Sequence, residues 1–206
     1  MIKANIESRQ IIYDHFKNFH DPYFGVVIPF DVTTALDHSK KYEVSFFARY
    51  LHDTLKALMS IENFRWRIID DEVFDCEVIN ASATMLRKNN TFGCSFVEFH
   101  EDINKFQENI ESEKKRVFET DTLLPPTDSL NCIHCSALPW FQFVGHKEPH
   151  FGAKDSVPKL AFSKTYFENN KSLMNIAINV HHGLVDGYHV GLFSEKLQQL
   201  LNEPLA

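Results

Sequence analysis

Hydrophobic positions along this chain switch repeatedly between a helical and an alternating period, and the switches divide it into elements. From Ser8 to Phe19, the mixed apolar stripe Ile11, Ile12, Tyr13, Phe16 and Phe19 predicts a short helix with Ser8 as its N-cap. Asp21-Pro22 marks a turn, after which the aromatic and β-branched run Tyr23 to Thr33 predicts a strand. Between Val44 and Ser60, Phe47, Leu51, Leu55, Leu58 and Met59 recur at helical spacing, with Ser45 near the start, as expected of a core-facing helix. Phe64 to Ile69 and Val73 to Val78 predict a hairpin around Asp70-Asp71, and Ala81 to Phe99 two more strands around Lys88-Asn89-Asn90. Glu101 to Glu119 spaces Ile103, Phe106, Ile110 and Val117 among charges, an amphipathic helix capped near Asp102 whose Lys114-Lys115-Arg116 run is its wet face.

The second half is read the same way. Leu123 to Asp128 is a loop leading into a strand that ends at Ser136-Ala137-Leu138-Pro139-Trp140. Phe141 to Lys159, rich in His, Gly and Pro, is irregular. Lys159 to Phe167 and Leu173 to His182 predict the last two strands, turned by Glu168-Asn169-Asn170, and Tyr188 to Leu201 closes the chain as a helix with Val190, Phe193, Leu197, Leu200 and Leu201 on one face. Without repeats, low-complexity tracts or a linker, the pattern predicts one α/β domain over residues 1–206, a two-layer structure with a mixed sheet.

Composition narrows the function classes. The length suits one domain with a good core, and nineteen Phe suggest aromatic-lined packing or pockets. A net charge of −7, with no basic stripe, argues against a nucleic-acid partner and suits a cytoplasmic protein. No apolar segment approaches a membrane span, and the N-terminus lacks a signal-peptide core. Cys132 and Cys135 match half of a redox or zinc motif, but no second pair accompanies them, and reduced, buried thiols are expected.

The stretch richest in candidate chemistry is Asn179-Val180-His181-His182-Gly183-Leu184-Val185-Asp186-Gly187. A buried strand delivers two histidines to its end, and Gly187 is expected to supply backbone angles closed to other residues. Histidine is the side chain best suited to take and return a proton near neutral pH, although a single His at a strand end is usually structural. Adjacent histidines on a strand face opposite ways, so a zinc site from His181, His182 and His189 is not expected. Taken alone, Arg9 would be a solvated charge and Ser136 a backbone hydrogen-bond partner.

The spacing His181-His182-x-x-x-Asp186-Gly187 running into a helix, together with Ser136-Ala137-Leu138-Pro139-Trp140, resembles the chloramphenicol acetyltransferase family, and more distantly the catalytic domains of dihydrolipoamide acyltransferases. The resemblance implies a chloramphenicol acetyltransferase-like fold, assembled as a homotrimer with active sites between subunits. It implies acetyl-CoA as co-substrate and transfer of acetyl to a hydroxyl in a ternary complex, with no acyl-enzyme. By the same resemblance His182 is the general base, Ser136 donates to the oxyanion, and Asp186 pairs with Arg9 as structural support. Trp140 and Lys164 then lie where the family packs coenzyme A. The acceptor pocket falls on His15, Phe16, His20, Phe24, Phe92, Lys159 and Ala161.

That pocket departs from the strongly apolar pocket of the family. His15 and His20 replace hydrophobes, Lys159 an aliphatic residue and Ala161 a threonine, while Phe16, Phe24 and Phe92 keep aromatic character. Burying unpaired charge is costly, so Lys159 is expected either to face water or to meet a polar acceptor. Chloramphenicol is the leading acceptor, with another small hydroxyl compound next. The alternatives are a lipoamide-type acyltransferase core, disfavoured by the missing lipoyl domain and linker, and a non-catalytic small-molecule binder that kept the fold.

Overall fold

Strand pairing organises the chain around one mixed sheet, seen in a computed structural model that describes residues 1–127, 129–152 and 154–204. Asp128, the end of the expected loop, lies outside the described residues. Strand β1 (Ile2–Lys3) opens the chain, and a 3-10 turn (Glu7–Arg9) leads into helix α1 (Gln10–Phe16). Helix α1 begins without a Ser8 cap and stops a turn short of Phe19. Strand β2 (Tyr23–Asp31) gives way at Val32 to a helix the hydrophobic pattern did not predict, α2 (Thr33–Lys41). Asp31 starts it by accepting from the backbone N–H and the hydroxyl of Thr33, and its apolar content is too sparse to show a stripe.

Helix α3 (Phe46–Met59) is capped by Ser45, whose hydroxyl accepts from the Ala48 amide. A single turn, α4 (Glu62–Arg65), precedes the hairpin β3 (Trp66–Ile69) and β4 (Glu72–Asp75), with which β1 completes a small three-stranded sheet. Strands β5 (Asn80–Leu86) and β6 (Phe92–Cys94) follow, and then helix α5 (Ile103–Glu119), with Asp102 as its cap. Strand β7 (Cys132–Leu138) is separated from β8 (Lys159–Ser163) by the irregular segment. The last strands are β9 (Tyr166–Glu168) and β10 (Lys171–His181), and α6 (Gly187–Asn202) ends the fold. The expected Lys159–Phe167 strand is thus two short ones.

The main sheet runs β2-β10-β8-β7-β5-β6, with β9 also paired to β10. The β5–β7 and β7–β8 pairs are parallel and the others antiparallel. Because side chains alternate across a strand, register sorts the residues into two faces. Ala83, Cys135, Leu160 and Ile178 line up on one face and pack beneath Leu51 and Leu55 of α3, Phe106 of α5 and Phe193 and Leu197 of α6 in the main core. On the opposite face, Ser82, His134, Lys159, Asn179 and Gly25 form one cross-strand row. Ser136, Ala161, Ala177 and Val27 form the next, with Thr84 bonded at its end. Small and polar side chains keep this second face free of helices. A side chain at Gly25 would have to displace the Asn179 amide, because a Cβ would meet Asn179 Oδ1 at 2.5 Å.

No helix among the described residues is long and apolar enough to cross a membrane. Cys132 and Cys135 point to opposite faces of β7, and Cys132 Sγ bonds the Ser129 carbonyl, so the half-motif does not converge.

Candidate active site

The candidate site residues fall into two groups, built on different ends of the sheet. At the first, β10 runs out at His181 and the chain turns through His182-Gly183-Leu184-Val185 into α6. The turn is fixed by Arg9, which is only 7% exposed. Its guanidinium donates to the Gly183 carbonyl at 2.9 Å, to the His182 carbonyl at 2.9 Å and to Asp186 Oδ2 at 2.8 Å. One planar fork therefore holds both ends of the turn, a geometry that lysine cannot reproduce. Asp186 also caps α6, accepting from the Tyr188 amide, while the His189 ring accepts from the Asp186 amide in a capping box. Burial alone would raise the Asp186 carboxyl, but the bond from Arg9 and the cap hold it below its ordinary value. The His189 imidazole is pushed down, mainly by burial.

Gly187 corrects an expectation. Its φ is not positive and open space surrounds its Cβ direction, so the turn does not depend on glycine there. Gly183 is the constrained position, since a Cβ would meet the His181 ring at 2.8 Å. His181 itself is buried, accepts from the Gly183 amide at 3.0 Å and lies edge-on to Tyr23.

His182 is held as a flat ring between two aromatics. It stacks on Phe16 with centroids 4.4 Å apart, and Phe24 lies 4.6 Å away. Its backbone amide donates to the Pro22 carbonyl, and its buried Nδ1 has no hydrogen-bond partner among the described residues. His15 and His20 are exposed at this end, with His15 edge-on to Phe16.

The second group surrounds a cleft of about 640 Å³ on the helix-free face. Ser136 sits in it, with Thr84, Phe92, Leu124, Trp140 and Phe151 around it. Thr84 donates to Ser136 Oγ at 3.2 Å. With Thr84 as the donor, Ser136 keeps its own hydrogen for a group in the cleft. Trp140 is 60% exposed at the rim. Lys164 is exposed beyond the end of β8, where its backbone amide donates to the Phe141 carbonyl at 3.0 Å. Ala161 has no exposed surface, since Phe143 covers it.

Of the two expectations for Lys159, exposure to water does not hold: it is 2% exposed, and its ammonium lies 2.7 Å from Asp155 Oδ2 and 3.4 Å from His134 Nδ1. The rings of Tyr23 and Phe151 flank it within cation–π distance. Asp155 also accepts from the Tyr23 hydroxyl and from the Phe151 and Val157 amides. Burial works against ionisation of Asp155, yet the Lys159 bond and charge and the two amides hold its carboxyl below the ordinary range. Burial and the neighbouring carboxylate push the Tyr23 hydroxyl far up. Tyr23, His134 and Asp155 were missed as site residues. His134 was findable, two positions before Ser136 and so on its face of a strand; Asp155 lies on an irregular segment with no period.

Within one chain His182 and Ser136 stay apart, although Lys159 pairs with Asn179, three positions before His182. Ser136 pairs with Ala161, Ala161 with Ala177, and His182 lies five positions past Ala177. Two strand spacings and five residue rises separate the backbones of Ser136 and His182 by roughly 20 Å.

A model of the chloramphenicol acetyltransferase family matches residues 1–198. The chain belongs to that family. It is an acyltransferase, and relatives cover most of its length. A chloramphenicol acetyltransferase of Klebsiella sp is 26% identical over 196 residues, covering 92% of this chain and 89% of the relative. A solved chloramphenicol acetyltransferase shares its fold, with a TM-score of 0.86 at 24% identity, covering 96% of this chain and 98% of that one. A probable dihydrolipoamide acetyltransferase from Listeria monocytogenes also shares the fold, at a TM-score of 0.68 and 12% identity, covering 98% of this chain and 93% of that one.

Proposed function

We propose that this enzyme transfers acetyl from acetyl-CoA to a hydroxyl of chloramphenicol or a related small molecule, within a single domain spanning residues 1–206. The observation that carries the reading is the His182 ring, clamped between Phe16 and Phe24 on a turn locked by Arg9 and Asp186. Such rigid presentation of an imidazole suits a general base, which must meet the acceptor hydroxyl in a narrow range of geometry. In this reading His182 takes the hydroxyl proton, the alkoxide attacks the thioester carbonyl, and collapse of the tetrahedral intermediate breaks the C–S bond while the imidazolium returns the proton to the departing thiolate. Ser136 donates to the oxygen of the tetrahedral intermediate, where a preorganised donor acts mainly on the transition state. No nucleophilic side chain is needed.

The open cleft fits acetyl-CoA as co-substrate: Leu124, Trp140 and Phe151 offer apolar and aromatic surface, and Lys164 lies at the Trp140 end. The roughly 20 Å between His182 and Ser136 supports a homotrimer whose sites lie between subunits, each built from His182 of one copy and the Ser136 cleft of the next. Arg9 and Asp186 act as structural support and touch no reactant.

The test is thiol release from acetyl-CoA by purified protein, with and without chloramphenicol, beside His182→Ala. Chloramphenicol-dependent release that disappears in the variant supports the reading. Release with other alcohols only would move the acceptor and leave the chemistry. Cofactor binding without release under any condition would favour a non-catalytic binder, and release unchanged in His182→Ala would sink the general-base assignment.

A further inference from the structure

One wall of the Ser136 cleft carries chemistry that acetyl transfer does not use. Lys159, His134 and Glu148 line it, although Lys159 is almost wholly buried. The ammonium has three donors: Asp155 Oδ2 takes one at 2.7 Å, and His134 Nδ1, 3.4 Å away, receives a second in the tautomer that leaves this nitrogen unprotonated. A third donor remains, on a charge fixed in place by two flanking rings and by a carboxylate that is itself held by a tyrosine and two backbone amides. Buried ion pairs rarely stabilise a fold more than apolar residues of the same volume. The benefit of this one therefore lies in what it meets in the cleft.

The surrounding charge decides the kind of group. Asp155 already balances Lys159, and Glu148 adds a second carboxylate to the wall. An incoming anion would compete with the Asp155 carboxylate, already 2.7 Å from the ammonium, in a partly desolvated site, whereas a neutral carbonyl or hydroxyl would accept the remaining ammonium hydrogen without that repulsion.

We propose that Lys159, positioned by Asp155 and His134, selects acyl acceptors that carry a neutral hydrogen-bond-accepting group, so the enzyme prefers small polar alcohols over alcohols with a hydrocarbon end. This rests on the transferase reading of the cleft and names the acceptor class for it. A site built to hydrogen-bond a substrate group discriminates strongly against the analogue that lacks it.

Three probes on one skeleton test the proposal: 4-(hydroxymethyl)benzamide, 4-(hydroxymethyl)benzoate and 4-isopropylbenzyl alcohol. Their affinities are measured by titration calorimetry on the full chain with coenzyme A present, for wild type, for Asp155→Asn/Lys159→Met and for Lys159→Met alone. Expected is amide binding at least about tenfold tighter than either other probe in wild type, with the advantage over isopropyl collapsing in whichever variant folds. Equal or tighter binding of the isopropyl probe overturns the proposal, as does no binding by any probe. Tightest binding of the benzoate overturns the neutral class, and an amide advantage that persists in the variants removes Lys159 as its source. Binding needs no base, so His182-dependent thiol release judges the transferase reading separately.

Discussion

Two faces of the same four strands differ in almost every respect. Ala83, Cys135, Leu160 and Ile178 lie in one row, and their immediate neighbours Ser82, His134, Lys159 and Asn179 lie in the row that faces the other way. The first row is sealed under three helices. The second carries a histidine, an ammonium, an amide and a hydroxyl, and it opens into a cleft. A one-residue step along a strand thus separates the part of the molecule that holds the fold from the part that lines the cleft. Stability and specificity should therefore respond to different residues even where those residues are adjacent in sequence.

The largest effects should come from the reactive groups. His182→Ala should lower acetyl transfer by about 10²–10⁴-fold, while Ser136→Ala should lower it by about 10²–10³-fold with little change in KM for acetyl-CoA. Both variants should melt like wild type, so steady-state kinetics beside a thermal scan checks the separation. A melting temperature that fell in step with activity would break it.

Stability is next. Leu160→Ala on the sealed face should cost about 2–5 kcal/mol in denaturant unfolding. The adjacent Asp155→Asn/Lys159→Met should be nearly neutral, within about 1 kcal/mol, because it removes both members of a buried pair and leaves no orphan charge. If the double variant were the worse of the two, the helix-free face would be part of the structural core after all.

A smaller effect is expected at the turn that carries His182. Asp186→Asn should retain the cap of α6 but lose the ion pair to Arg9, costing about 1 kcal/mol of stability and a larger share of kcat. Asp186 and Asp155 titrate below the ordinary carboxylate value of 3.8 in the folded chain. The unfolded chain then binds more protons in that range, so their contribution is complete above about pH 4 and is lost as pH falls through the depressed values. Acid unfolding of wild type should steepen there, and Asp186→Asn should flatten the profile.

How much of this was legible in the sequence follows from what periodicity can carry. Helices α3, α5 and α6 declared themselves through stripes such as Leu51-Leu55-Leu58, because a helix buried on one side must repeat its apolar residues. Helix α2 did not, since Thr33 to Lys41 offers only Ala35 and Leu36 and starts through the Asp31–Thr33 bonds. Family membership was legible because the histidine turn and the Ser136-Ala137-Leu138-Pro139-Trp140 block are contiguous in sequence. The partner of Lys159 was not: Asp155 reaches it from a segment whose shape is set by bonds to Tyr23, far away in the chain. Chemistry held by contiguous residues could be read, and chemistry assembled across the sheet could not.

The central claim is that His182 and Ser136 act together although one chain keeps them roughly 20 Å apart. Co-expressing His182→Ala with Ser136→Ala tests it directly. Each variant alone should be nearly inactive, and a random mixture in trimers should recover about one quarter of wild-type activity, because one neighbour can supply an intact His182 and the other an intact Ser136. A mixture no more active than the average of its two parents would contradict the account.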